Sequence, residues 1–299
     1  MRPAFSIIFF TVMSGFGFGL GALVTLGLIE MNSAFDKLMV LGTIIVFAGA
    51  GLLSSTFHLG HPERAWRALT QWRSSWLSRE GVLAIITLDA IVAWFAYEHF
   101  VGQPPAWAGI IVSALSLFTI YCTAMIYASL RTVARWNHPL TSVSYLAFGL
   151  ASGLVGLAAL NGLIGAASAP LAMAASWALI GAWGVKVVWW QVAGKQAEPS
   201  TRETATGLGK LGTVAPLMPP HTSENYLQHE MGFQVGRKHA RLIRMLALMI
   251  GGGLPLILLS ALPASPIALI IAVIAVLGGL FFERWLFFAE AKHVVMLYY

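Results

Sequence analysis

The chain has 299 residues and a formal net charge of +6, yet only 10% of its residues are charged and 58% are hydrophobic, with a mean hydropathy of +0.77. Soluble domains carry about 25% charged residues, so this composition excludes one. A helix that crosses the hydrocarbon core of a bilayer uses roughly 20 apolar residues, and this length holds about eight such spans. We predict an all-α integral membrane protein whose residues 1–299 form a single polytopic domain.

Hydrophobic runs separated by charged or proline-rich breaks predict the spans in chain order. They lie near residues 4–29, 38–58, 80–100, 107–130, 143–164, 170–193, 241–262 and 266–289. The longest connection, residues 195–238, contains Pro199, Pro216, Pro219 and Pro220. We predict that it is an irregular loop outside the membrane.

The distribution of Lys and Arg predicts the orientation, because positively charged connections stay in the cytoplasm during insertion. Of the 18 basic residues, 17 fall on or beside the face that holds both termini, Lys186 and Arg284 among them, and only Lys37 falls on the other face. Both termini and the 195–238 loop are therefore predicted to be cytoplasmic, in the inner membrane. Anionic lipid accounts for most of this positive charge, and we expect no nucleic-acid partner.

The chain lacks the ligands that a redox centre needs. It has one cysteine, Cys122, whereas an iron–sulfur cluster needs about four thiolates. A haem b in a helix bundle is held between histidines on facing spans, and none of the eight histidines lies in the middle of a predicted span. We expect no haem, no iron–sulfur cluster in this chain and no metal site, so electrons must come from a ligand or another subunit.

Residues 54–80, SSTFHLGHPERAWRALTQWRSSWLSRE, concentrate charged and aromatic side chains at the membrane boundary between the second and third spans. Interfacial tryptophans are expected there, but His58 at the inner end of a span is not required by such a belt. A histidine at that depth can exchange a hydrogen bond and a proton with a carbonyl group. A capping or interface role for His58 is an equal alternative.

A quinone has an apolar ring and two carbonyl oxygens, and it takes up two electrons and two protons. Its site needs apolar walls and a proton donor at the oxygens. Candidates for the polar side of such a site are His58, Arg64 and Glu80, and candidates for its wall are Trp66 and Trp76.

Acidic side chains within a span are costly, and by default they are functional or paired. Glu80 and Asp89 lie nine positions apart on the third span, about 13.5 Å along a helix. We predict that Glu80 exchanges protons at the quinone. Asp89 is either a second station for proton transfer or a structural acid paired with a neighbouring helix through Lys186.

Four sequence motifs resemble the signature of the DmsC family, the membrane anchor subunits of dimethyl sulfoxide reductase type. They are HLGHPERAW at residues 58–66, SWLSREG at 75–81, MIYASLRTVARWNHPLT at 125–141 and ERWLFFAEAKH at 283–293. The resemblance covers the whole chain. It implies a non-catalytic anchor, without haem, for a molybdopterin catalytic subunit and a four-cluster iron–sulfur subunit that exchanges electrons with ubiquinone or menaquinone.

The resemblance also assigns residues to the quinone. The family's HLG histidine and the glutamate of its SREG-like motif lie by the quinone, and they correspond to His58 and Glu80. Arg79 precedes that glutamate where the reductase anchors have a neutral side chain, and we include it among the quinone-binding residues. Residues 64–79, 195–238 and 294–299 are expected to form the docking face for the iron–sulfur subunit.

Two features select a branch of the family. The closing motif and the cytoplasmic placement of His58 look more like the SoeC anchors of cytoplasmic sulfite dehydrogenase. We therefore favour sulfite oxidation with quinone reduction over an anchor of a sulfoxide reductase that oxidises quinol. A secondary transporter is a further alternative, but the chain shows none of the inverted repeats that this class predicts.

Overall fold

A computed structural model describes residues 3–58, 61–196, 200–218, 231 and 238–298, without the side chains of His58, Pro62 and Tyr298. Within these residues eight helices are long and apolar enough to cross a membrane. They are α1 (Phe5–Thr25), α2 (Ala34–Ser54), α3 (Trp76–Phe100), α4 (Ala106–Ala128), α5 (Pro139–Leu163), α6 (Ala169–Ala193), α7 (Ala240–Ala261) and α8 (Pro266–Ala289). The predicted all-α membrane fold with eight spans is confirmed, and both termini lie at one end of the bundle.

Several helices begin earlier than hydropathy predicts because their first turns are polar. At the start of α3 the Ser75 hydroxyl accepts a hydrogen bond from the backbone N–H of Ser78 at 3.4 Å. At the start of α2, Ser33 and Asp36 exchange side-chain to backbone hydrogen bonds in a capping box. These caps satisfy amide groups that a helix end leaves unpaired, so the helices extend about one turn beyond the apolar run.

The helices pack as two groups of four, α1 to α4 and α5 to α8. Helix α1 packs against α5 and α8, and α4 packs against α5, so these contacts join the two groups. The central helices α1 and α5 are the most buried of the eight. Short helices continue the chain beyond the bundle at the end that holds the termini: Ser55–His58, Pro62–Gln71, Arg202–Thr206, Leu208–Lys210 and Val294–Tyr298.

Helix α7 contains a π-helical turn, Met249–Gly253, between two α-helical stretches. Pro255 has no backbone N–H, so the carbonyl of Gly251 loses its usual donor four residues later. The indole N–H of Trp183 on α6 donates to that carbonyl at 2.9 Å. A side chain from the neighbouring helix thus satisfies a backbone group that proline leaves unpaired within the bilayer.

Glycines allow α1 and α5 to cross at close range. A Cβ atom on Gly153 of α5 would lie 2.5 Å from the carbonyl carbon of Gly19 on α1. We expect Gly153→Ala to lower stability by about 1 to 3 kcal/mol, because the clash is with backbone, which cannot rotate away.

The matched control for this prediction is Gly15→Ala on α1, where a Cβ atom would meet nothing within 4 Å. Thermal melting of the detergent-solubilised chain, followed by size-exclusion chromatography, measures both variants. Equal melting temperatures for Gly153→Ala and Gly15→Ala would contradict the close crossing.

Candidate functional site

The connection between α2 and α3 carries three of the six residues predicted to bind quinone, and the other three lie at the start of α3. His58 ends the first short helix of this connection, and its side chain lies outside the described part of the protein. Arg64 is 56% exposed and its Nε lies 3.7 Å from Glu63 Oε1. Trp66 is 62% exposed. Arg64 and Trp66 therefore lie at the surface of this protein, where a partner or lipid can reach them.

Trp76 and Arg79 lie together at the start of α3. The Arg79 guanidinium carbon stands 4.3 Å from the ring centroid of Trp76, which also meets Tyr121 of α4 edge to face. The guanidinium donates to the backbone carbonyls of Trp72 at 2.9 Å and Arg73 at 2.6 Å. Arg79 thereby fastens the end of the connection onto α3, a role that the sequence did not predict.

Glu80 is the buried acid of this end of the bundle. The residue is 4% exposed, and its Oε1 has no hydrogen-bond partner among the described residues. The nearby Ser78 hydroxyl is also buried, and it too has no hydrogen-bond partner within the described ranges. Seven residues further along the same face of α3, the Thr87 hydroxyl meets Thr119 of α4, so the Glu80 carboxyl group lies on the side of α3 that faces the bundle. A carboxyl group of this kind can act as a proton donor or acceptor.

Asp89 lies elsewhere on α3. It is exposed, on the outer side of the helix, so the structure does not bring it together with Glu80. The predicted pairing of Asp89 with Lys186 is wrong, because Lys186 on α6 forms its ion pair with Glu283 on α8. A role of Asp89 in proton transfer stays a prediction, and Asp89→Asn tests it: slower quinone turnover would keep Asp89 in the path, and unchanged turnover would remove it.

Sequence reasoning missed a buried ion network near the same end of the bundle. Lys186 and Glu283 are 1% and 0% exposed in their side chains, and Arg284 Nε lies 3.3 Å from Glu283 Oε2. The Arg284 guanidinium also covers the ring of Tyr145 at 3.7 Å. Lys186 and Arg284 are thus interior residues, and they do not belong to the basic rim in which the sequence placed them. An acid inside the last span was the signal that could have found this network.

A second ion network joins three elements at the boundary. Glu290, just after α8, contacts Arg135 and Arg244 through its two carboxylate oxygens, each at 2.5 Å. Burial lowers the pKa of the Arg135 guanidinium, and the Glu290 carboxylate opposes that shift. The network ties the α4 to α5 connection and the start of α7 to the end of the last span.

Four cavities accompany these groups, and Glu80 lines none of them. A cavity of about 20 Å³, room for about one water molecule, lies among α1, α4, α5 and α8 beside Thr123, Tyr145 and Arg284. A polar pocket of about 200 Å³ adjoins Arg135 and Glu290. An apolar groove of about 280 Å³ lies between α1, α7 and α8.

The fourth and largest cavity, about 840 Å³, opens at the opposite end of the bundle. We call it the vestibule, and its residues are Thr25, Leu26, Gly27, Ile29, Glu30, Met31, Asn32, Lys37, Trp94, Glu98, Gly102, Gln103, Pro104, Pro105, Ala106 and Ile110. Its lining comes from the ends of α1 to α4 and their connections. No group of three or more His, Cys, Asp or Glu residues with the geometry of a metal site occurs in the described ranges.

The fold and the site define a polytopic all-α membrane protein whose candidate functional residues lie in one boundary connection and the helix that follows it. The chain belongs to the DmsC family: the family model for the DMSO reductase anchor subunit matches residues 1–191. It is therefore a multi-pass membrane anchor subunit of an oxidoreductase complex of this type. Membership favours an anchor over the alternative of a secondary transporter.

Two relatives support this assignment. The chain is 34% identical over 332 aligned positions to the C subunit of sulfite dehydrogenase from Allochromatium vinosum, and the alignment spans 100% of this chain and 99% of that protein. It is 25% identical over 146 positions to the C component of anaerobic dimethyl sulfoxide reductase from Haemophilus influenzae, and that alignment spans 46% of this chain and 52% of the relative. No solved structure matches the chain.

Proposed function

We propose that this chain passes electrons from a four-cluster iron–sulfur subunit to ubiquinone or menaquinone, and that it anchors that subunit and a molybdopterin catalytic subunit on the cytoplasmic face. Sulfite is the proposed substrate of the catalytic subunit. The similarity to a sulfite dehydrogenase subunit spans both proteins, whereas the similarity to a dimethyl sulfoxide reductase component spans about half of each. The full-length relative therefore favours sulfite oxidation over sulfoxide reduction.

The buried carboxyl group of Glu80 is the observation that carries the proposal. It lies in the first turns of α3, directly after the α2 to α3 connection. A buried acid without a cation to balance it is costly unless it exchanges protons or meets a ligand. The proposed site also includes His58, Arg64, Trp66, Trp76 and Arg79.

The residues of the proposed site have different roles. A quinone accepts two electrons and two protons when it is reduced. Glu80 would hold a proton at Oε1 and deliver it at this end of the bundle. Arg79 keeps the connection closed over α3 through its bonds to the Trp72 and Arg73 carbonyls. His58 would serve the second carbonyl oxygen.

The proposed docking face is held together by contacts between distant parts of the protein. Arg202 Nε donates to the Leu297 carbonyl at 2.9 Å, and the Val294 N–H donates to the Thr132 carbonyl at 3.1 Å. The described part of the 195–238 loop thus contacts the C-terminal segment, which in turn contacts the α4 to α5 connection. Together with the α2 to α3 connection they make up the proposed surface for the iron–sulfur subunit.

Purification of the whole complex through a tag on a partner subunit tests the function. The expected complex contains this chain with an iron–sulfur and a molybdopterin subunit, reduces decylubiquinone with sulfite and contains extractable quinone. A complex that reduces dimethyl sulfoxide with quinol and ignores sulfite would replace the proposed direction with the alternative. Absence of bound quinone and of quinone-linked turnover would leave only a structural anchor.

The variant His58→Ala tests the site separately. We expect it to lower quinone-linked turnover by at least about tenfold, because a positioned proton donor is lost. Copurification of the subunits is measured on the same preparation, so that a loss of assembly is distinguished from a loss of turnover. Full turnover with a normal quinone content in His58→Ala would remove His58 from the site.

A further inference from the structure

One face of α3 carries polar groups from one end of the membrane to the other. Glu80, Thr87, Trp94 and Glu98 are spaced by seven, seven and four residues, which places them within about 40° of one another around the helix at 100° per residue. Glu80, Thr87 and Trp94 are buried, and the Glu98 side chain is only 15% exposed. The two acids stand about 27 Å apart along the helix, nearly the thickness of a hydrocarbon core.

Helix α4 runs antiparallel to α3 and adds a second row of buried hydroxyl groups. Ser113, Ser116, Thr119 and Thr123 are all buried. The Thr119 hydroxyl lies 3.0 Å from the Thr87 hydroxyl, which fixes the register between the two helices. With that register, successive polar groups between the two acids are separated by about 6 Å or less along the helix axis.

The vestibule brings water to the far end of this row. The Lys37 ammonium lies 3.9 Å from Glu98 Oε1 and donates to the Glu98 carbonyl at 3.0 Å. Glu98 Oε2 and the indole N–H of Trp94 are buried, and neither has a hydrogen-bond partner among the described residues. Both residues line the vestibule. The carboxyl group of Glu98 thus stands between the open cavity and the interior of the α1 to α4 group.

Single water molecules span separations of the size found along the helix axis. A water that bonds two hydroxyl groups at about 2.8 Å each spans about 5.6 Å, close to the axial separations above. The water-sized cavity of about 20 Å³ beside Thr123 provides room for one water molecule next to a hydroxyl group of this row. The hydroxyl groups of Ser116, Thr119 and Thr123 also bond to carbonyl groups of α4, and a purely structural role would need no more than these bonds.

We propose that this row, which runs from Glu80 through the buried hydroxyl groups of α3 and α4 and past Trp94 to Glu98, conducts protons between the vestibule and Glu80. The proposal rests on the proposed quinone site. Reduction of one quinone then takes two electrons from the docked iron–sulfur subunit on the face with the termini, and two protons from the vestibule on the opposite face. Two positive charges cross the membrane for each quinone reduced, so turnover is electrogenic.

Proteoliposomes that contain the whole complex, decylubiquinone and a pH-sensitive dye in the lumen test this proposal. Sulfite added outside drives only complexes whose partner subunits face outward, so the vestibule of every active complex faces the lumen. We expect the lumen to become alkaline and negative by up to two charges per quinone reduced, with the signal abolished by an uncoupler. Uptake of both protons from the outer medium, seen as an unchanged lumen pH and no membrane potential, would overturn the proposal.

Variants of residues in the row distinguish proton conduction from a role in helix packing. The isosteric double variant Thr87→Val with Thr119→Val, and Glu98→Gln, should each lower lumen alkalinisation and quinone reduction by at least about tenfold while subunits and quinone remain bound. The control is Thr43→Val on α2, which loses a comparable hydroxyl bonded to the Met39 carbonyl and should behave as wild type.

Each result decides between the two proposals. Wild-type rates and proton stoichiometry in the double variant and in Glu98→Gln would overturn the conduction path and leave the quinone site intact. A wild-type complex that does not reduce decylubiquinone would refute the quinone site, and the conduction path with it.

Discussion

Glu80→Gln should lower quinone-linked turnover of the assembled complex by about 100-fold, within the range that a positioned general acid contributes. Glutamine keeps the size of the side chain but cannot release or take up a proton. The carboxyl group is buried at the start of α3 with one oxygen unpartnered within the described ranges. Stopped-flow or steady-state reduction of decylubiquinone by sulfite measures the change.

Glu80→Asp is the matched comparison for this prediction. It keeps an ionisable group about one methylene further from the ligand, so we expect it to retain more turnover than glutamine. The copurifying subunits and the melting temperature show whether either variant has lost its structure. Turnover by Glu80→Gln within twofold of wild type, with the subunits assembled, would remove Glu80 from the chemistry.

Glu283→Gln should be the most destabilising of the single charge removals considered for this protein. Glu283 is the only acid in its network, where it faces Lys186 and Arg284 within the described residues, so its loss leaves two buried cations next to each other. Removal of one partner from a buried ion pair typically costs about 3 to 5 kcal/mol. We expect a strongly reduced yield of folded protein and a lower melting temperature in detergent.

Lys186→Met provides the comparison, because Glu283 then keeps Arg284 at 3.3 Å and methionine fills much of the same volume. Its loss of stability should be clearly smaller than that of Glu283→Gln. If the two variants melt at the same temperature, the carboxylate is not the centre of the network and the proposed order of stabilities is wrong.

Most of the fold could be predicted from composition because lipid requires long, apolar, internally hydrogen-bonded helices. The eight spans follow from this rule, and errors arise where polar caps lengthen a helix, as at Ser75. The break inside α7 was not predictable from hydropathy. The Gly251 carbonyl in this turn accepts a hydrogen bond from Trp183 of another helix, and only the packing of α6 against α7 brings the two residues together.

The candidate site could be predicted in part. Glu80 was recognisable because acidic side chains within a span are costly, and no Lys or Arg stands one helical turn away from it. The adjacent Arg79 donates its hydrogen bonds to the preceding connection. Glu283 was not recognised because Arg284 follows it directly and the pair resembles a neutral boundary segment. Its second cation, Lys186, lies in a different span. The hydroxyl groups on α4 resemble ordinary packing residues until Thr119 is placed against Thr87.

The Trp183 and Pro255 arrangement in α6 and α7 has a consequence for how homologous proteins can vary. The Trp183 indole donates to the Gly251 carbonyl, which lacks its α-helical donor because of Pro255. That hydrogen bond is needed only while the proline is present. Among homologues the two side chains should therefore change together. In a lineage that replaces the proline, the tryptophan is no longer needed and can be substituted. A lineage that loses the tryptophan first would keep a carbonyl group without a hydrogen-bond partner in the bilayer.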